Sequence, residues 1–262
     1  MTALRLADAG EAADLAAFLA RLIHYDRAAA VRLQAGGGVL AVFGRPPSFE
    51  VLAIRTARLA DDDLTLDVTV SAGELLEGVE ESADTVTVPA AVTGPPWAGL
   101  LPPRGGWRRV PGLPTPDALV RAVAGAVAEF RARDEALPPQ HRTRTERDRI
   151  GRDIWSRTLG DTHLPLRAAH AAHSLGFLRP ARANALAVGG TSPAAAENAT
   201  PGAMDGAEAS AAHPGSAPQP QAPTLLAAGG WLRLSTAYGS IAVRTGGPAG
   251  LKGLSGLSVT PT

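Results

Sequence analysis

The apolar period of this chain changes twice, and that limits the fold more than any single motif. Leu15, Phe18, Leu19, Leu22 and Ile23 recur at helical spacing, the stripe of an amphipathic helix with one buried face. Between residues 30 and 70 the β-rich runs Ala30–Gln34, Val39–Phe43 and Val51–Ala57 follow, and Leu64, Leu66, Val68 and Val70 then alternate with polar residues. Beyond Pro116 the helical spacing returns in Leu119, Val123, Val127 and Phe130. A strand sends successive side chains to opposite faces while a helix repeats about every 3.6 residues, so neither pattern can be refolded as the other. The chain is therefore α+β.

Local stop and start signals sharpen this. Asp8 with Glu11, and Thr143 with Glu146, have the spacing of a capping box, in which a short oxygen acceptor meets the free N–H groups of the first turn. Thr115-Pro116-Asp117 opens a third helix with a hydroxyl cap, a first-turn proline and an acid at the positive dipole end. Ser71 caps a short helix through Leu76, and an Ala-rich helix is expected over Pro165–Leu178 with Leu166, Ala169, His173 and Phe177 on one side. Gly36-Gly37-Gly38 and Arg45-Pro46-Pro47 separate successive strands as hairpin connections would. Val86–Val88 reads as an edge strand, and Ala185–Val188, Trp231–Ser235 and Ile241–Arg244 as short strands.

The expected plan follows. Residues 1–95 form an acidic α+β domain, an antiparallel sheet with a packed helix. Residues 96–114 form an ordered Pro/Gly/Trp connector, because a free tether seldom carries two tryptophans such as Trp97 and Trp107. Residues 115–188 plus 230–244 form a basic three-helix segment closed by a small β-hairpin, which is a winged-helix-like order. Residues 189–229 lack Lys, Arg, Val, Ile and aromatic side chains, so they are expected to be a disordered insert expanding a hairpin turn. Residues 245–262 read as a flexible tail.

Charge is sorted along the same plan. Residues 1–100 hold 7 Arg against 14 Asp plus Glu, a net of −7, and residues 101–183 hold 15 Arg against 8 acids, a net of +7. One lysine stands beside 24 arginines, the mark of a GC-rich coding sequence before any guanidinium chemistry. Cysteine is absent, which removes disulfides, thiolate catalysis and cysteine-held metals together. The acidic N-terminus and the lack of a long apolar run point to a cytoplasmic protein with no membrane partner.

Familiar chemistry is hard to place. His170 and His173 lie three apart on a helix of Ala and Leu, with no HExxH pattern and no third ligand in sequence. Gly36-Gly37-Gly38 leads into a strand, so it offers no helix N-terminus to a phosphate. Asp61-Asp62-Asp63 lacks the alternation and glycine of a calcium loop and reads as a solvated turn. No catalytic, cofactor-binding or metal residue is assigned, and no cofactor or small-molecule ligand is expected. The candidate interaction residues are Arg104, Trp107, Arg108 and Arg109, an aromatic among arginines on a Gly-bearing loop, together with Arg167, the permanent cation of the Ala-rich helix.

The stretches RAAAVRLQAGGGVLAVFGRPP, GPPWAGLLPPRGGW and LPLRAAHAAHSLGFL resemble segments of conserved, uncharacterised proteins from high-GC actinobacteria, a resemblance that implies no particular function. The residues then favour a non-catalytic protein-interaction or regulatory module, acting on a protein partner or by self-association. A winged-helix-type nucleic-acid-binding protein is the alternative, and an enzyme whose site is invisible in sequence is the second.

Overall fold

Strand β1 (Thr2–Arg5) leads into helix α1 (Ala9–Tyr25), where the Asp8 carboxylate accepts the Glu11 N–H at 3.0 Å. Strands β2 (Ala30–Gly36), β3 (Val39–Gly44) and β4 (Leu52–Arg58) form a meander with one 3-10 turn, Pro47–Phe49, before β4, and β5 (Leu66–Ser71) returns to pair with β2. Helix α2 (Ala72–Glu77), capped by Ser71, leads to β6 (Val79–Glu80) and β7 (Thr85–Val88). The connector carries β8 (Arg108–Val110) and is followed by the helices α3 (Pro116–Glu135), α4 (Arg144–Trp155) and α5 (Leu166–Ser174). Strands β9 (Thr224–Ala228), β10 (Trp231–Thr236) and β11 (Gly239–Arg244) end the order. This computed structural model describes residues 2–179 and 222–245, and among them no helix is long and apolar enough to cross a membrane.

The strands make two antiparallel sheets: a small one of order β1-β7-β6, and an eight-stranded one of order β5-β2-β3-β4-β11-β10-β9-β8. The larger sheet passes from the N-terminal meander to the C-terminal strands where Ala53 lies opposite Ile241 in the β4–β11 pair. Its inner face carries Val31, Leu33, Leu40, Val42, Ala53, Leu232, Leu234 and Ile241, all buried. Helices α1 and α5 cover that face, α3 packs on α5, and α4 closes against both. One apolar core thus takes side chains from both ends of the chain, with Phe18 of α1 stacked on Phe177 at 5.7 Å.

A charged cluster is sealed under α1. Arg55 points inward from β4 with its side chain only 7% exposed, and it donates to Glu11 at 2.9 Å, to Asp14 at 3.4 Å and to the Tyr238 carbonyl at 3.1 Å. Arg179 also reaches Asp14, and its guanidinium lies 3.8 Å from the Tyr238 ring centre. Among the described residues the Arg179–Asp14 bridge alone joins a charge of residues 1–100 to an opposite charge further along. Apolar burial and strand pairing, not the charge partition, hold the two regions together.

The outer face is crossed by the connector. It enters beside β5, where the Val92 N–H donates to the Thr69 carbonyl at 2.9 Å, and it leaves as β8, the opposite edge. Trp97 and Leu101 pack on Phe43, Leu52, Ile54 and Ala242. Arg32 fixes the crossing: it binds Asp67 through two parallel bonds of 2.8 Å and donates its third nitrogen to the Ala98 carbonyl.

Four details depart from the sequence reading. Thr224–Ala228, placed in the insert, is a strand, because its backbone pairs with β10 on one side and β8 on the other. Gly229-Gly230 is then a tight hairpin turn with φ of 52° and 78°, the left-handed geometry that suits twisted strands; it is not one end of an expanded turn. Val86–Val88 is no edge, since β7 lies between β1 and β6. His173 is exposed instead of inward. The helices and hairpin follow in the expected order, but β11 is enclosed by β4 and β10, so the hairpin does not project as a free wing. The expected strand Ala185–Val188, residues 189–221 of the insert and residues 246–262 of the tail lie outside the described residues.

Candidate functional site

Helix α4 buries Ile150 and Ile154 on one face, which leaves Arg144, Arg147, Arg152 and Trp155 on another. Residues three and four apart share a helix face, so these side chains line up along one wall of a cleft of about 1000 Å³. Arg167 and His170 of α5, one turn apart, add a second wall. The 3-10 turn Pro47–Phe49 closes the third side, with Tyr25 behind it. Glu50 ends that turn at φ 52°, a left-handed conformation for a residue with a side chain. Such a conformation costs about 1 kcal/mol or more and persists only where its surroundings impose it.

The floor is a run of rings. Trp155 and His170 stack at 4.2 Å and 18°, Phe49 meets His170 edge-on at 5.0 Å, and Tyr25 meets Phe49 edge-on at 5.1 Å. Burial, and after it the neighbouring His173, push the His170 imidazole down from 6.5 to about 4. At neutral pH it is an uncharged ring, suited to stacking.

The cations of this cleft are unequally satisfied. Arg147 is paired with Asp134 at 2.8 Å, and Arg144 reaches Asp148 only at 3.9 Å. Arg152 and Arg167 pair with no carboxylate among the described residues, and the Arg167 Nε is buried with no hydrogen-bond acceptor. Arg167 and Glu50 also border a second cleft of about 500 Å³ that continues onto the outer sheet face. There Trp97 and Trp231 supply apolar surface, Arg45 and Arg244 add charge, and Arg244 lies 5.7 Å over the Trp231 ring. The two clefts share Glu50 and Arg167 and together make an elongated groove, in which Arg45, Arg152, Arg167 and Arg244 have no paired carboxylate among the described residues and the lining acids are Glu50 and Asp148.

Of the sequence candidates, Arg167 lines this groove and the other four do not. Arg108 and Arg109 are exposed on β8, where they lie opposite Ala227 and Leu226 of β9. Trp107 is half-buried and its indole N–H donates to the Pro103 carbonyl at 3.1 Å, while Arg104 is exposed at the rim of another cavity. Arg152, Trp155, Glu50 and His170 were missed as a group. The signal available is the helical spacing of Arg144, Arg152 and Trp155; Asp148 and Asp153, each four residues after an arginine (Arg144 and Arg149), make that charge look locally neutralised in sequence. In fact Arg149 pairs with Glu146 at 2.9 Å, and Asp153 is taken by Arg133 at 2.6 Å and by Arg157 at 3.4 Å. Among the described residues no three His, Asp or Glu side chains converge as a metal would need.

Comparison with family models gives two matches, the first with a domain of unknown function (DUF8010) over residues 1–99 and the second with a domain of unknown function (DUF8185) over residues 102–248. No curated protein and no solved structure matches the chain.

Proposed function

The chain belongs to the DUF8185 family, which brings no activity with it, and from the chemistry of the groove we propose a non-catalytic protein-interaction module that seats an acidic polypeptide segment. The observation that carries this reading is the pair Arg152 and Arg167, unpaired beside the stacked Trp155–His170 floor. Arg167, half-buried, holds its guanidinium partly out of water with no carboxylate paired to it among the described residues, which is unfavourable until an anion arrives, and Arg152 stands exposed beside it. Carboxylates match the planar fork of a guanidinium, and the ring floor takes the apolar side chains between them. The groove is long and passes through two clefts, which suits an extended segment more than a compact ligand. The −7 of residues 1–100 is left largely unmet by the +7 of residues 101–183 within the molecule, so the arginines keep their charge for a partner. We place this module in the cytoplasm, and in a high-GC actinobacterium, the latter supported by the near-exclusive use of arginine over lysine.

The test is fluorescence anisotropy of the full chain with a short labelled peptide alternating Glu and Tyr. Arg152→Glu and Arg167→Gln should each weaken binding about tenfold or more, and added salt should weaken it further. Arg108→Glu should leave it unchanged. Equal binding by Arg152→Glu overturns the reading, and so does a short DNA duplex that outcompetes the peptide. Concentration-dependent self-association that the peptide cannot displace would assign the groove to a second copy instead.

A further inference from the structure

The connector roofs another chamber, of about 340 Å³, on the outer sheet face. Val39, Ala41, Phe43 and Ile54 make its apolar floor, and Pro102 and Pro103 its roof. Two guanidinium groups stand at its border. Arg104 comes from the Gly-bearing loop singled out in the sequence, and Arg233 comes from β10, where the inward turn of Leu232 and Leu234 directs it outward.

Arg233 is held firmly but left uncompensated. Its Nε donates to the Ser240 hydroxyl at 2.8 Å, and its guanidinium carbon lies 5.8 Å from the Trp107 ring centre. No carboxylate pairs with it among the described residues. Burial lowers its pKa from the ordinary arginine value, which is the mark of a cation stripped of water without a partner. Asp67 feels the charge of Arg104, but its oxygens already accept from Arg32 and Gln34. Two cations and an apolar floor in one small chamber, with no acid lining it among the described residues, describe the complement of an amphiphilic anion.

We propose that this chamber binds a small carboxylate with an apolar body, the head between Arg104 and Arg233 and the body on Phe43 and Ile54 beneath Pro102 and Pro103. Inorganic phosphate or acetate could meet the same cations but would leave the apolar floor unused, so the body of the ligand sets the preference. The site is separate from the groove and does not rest on the reading of it.

Isothermal titration of the full chain with benzoate, acetate and inorganic phosphate tests this. Benzoate should bind about tenfold or more tighter than either of the others. Arg104→Gln, at an exposed position, and Arg233→Gln should each weaken benzoate about tenfold. Ala41→Phe, which fills the chamber without removing charge, should abolish binding. Arg121→Gln, at an exposed position on α3, controls for net charge and should change nothing. Absent benzoate binding, equal affinity for all three anions, a preference for phosphate, or wild-type affinity in Arg104→Gln or Ala41→Phe would each overturn the proposal.

Discussion

Acidification should destabilise this fold through His170. Its imidazole is packed between Trp155 and Phe49 and faces the cleft that Glu50, Arg152 and Arg167 also border, with His173 beside it on α5. The folded pKa of about 4 lies below the unfolded 6.5, so between those values the unfolded chain binds a proton that the folded chain refuses. Stability therefore rises with pH across this window: it is complete above about 6.5 and lost progressively toward 4. At about 1.4 kcal/mol per pH unit the loss amounts to about 3 kcal/mol, a large part of the roughly 5–15 kcal/mol of a typical domain. Urea unfolding of the wild type and of His170→Phe, at steps from neutral pH to pH of about 4, isolates this group, because carboxylate titrations cancel in the difference. The stability gap between the two proteins should swing by about 3 kcal/mol in favour of the Phe variant. Parallel curves across the window would refute the reasoning, and a swing of opposite sign would mean that the folded state charges the ring.

Two further outcomes follow from the core. Arg55→Met removes the donor that joins Glu11, Asp14 and the Tyr238 carbonyl; Arg58 and Arg179 still hold those acids in part, so chemical denaturation should register a loss of about 3 kcal/mol, at the low end for a broken buried pair. Gly239→Ala should cost about 2 kcal/mol or more, because φ there is 152° and an added methyl would lie 2.6 Å from Phe177 and 2.9 Å from the Ile54 carbonyl; an unchanged thermal midpoint would sink that expectation.

Elements whose cause is local were legible from sequence. Asp8 with Glu11, Thr115 with Pro116, and Thr143 with Glu146 start their helices where the spacing placed them, since a cap is satisfied within one turn. Strand β9 was not legible, because Thr224–Ala228 becomes a strand through partners at Arg108–Val110 and Trp231–Ser235. Its own composition carried no such instruction. The same holds for β7, which could be read as a strand but not as a central one. In the candidate site, Arg167 stood out as the permanent cation of a bland helix. Glu50 and Trp155 border one cleft only because α5 packs on both α4 and a turn about a hundred residues earlier, a distance that no local spacing encodes.

The β4–β11 pairing has a consequence for how the chain can be divided. The boundary between the two matched regions, at residues 99 and 102, falls inside the connector, yet the strands on either side of it share one hydrogen-bonded ladder. Cutting there would leave β4 on one fragment and β11 on the other, each with a bare row of amide and carbonyl groups. Both are rich in apolar residues, and an exposed apolar edge is a template for aggregation. The two regions can therefore be inherited as a pair far more readily than they can be exchanged singly between proteins.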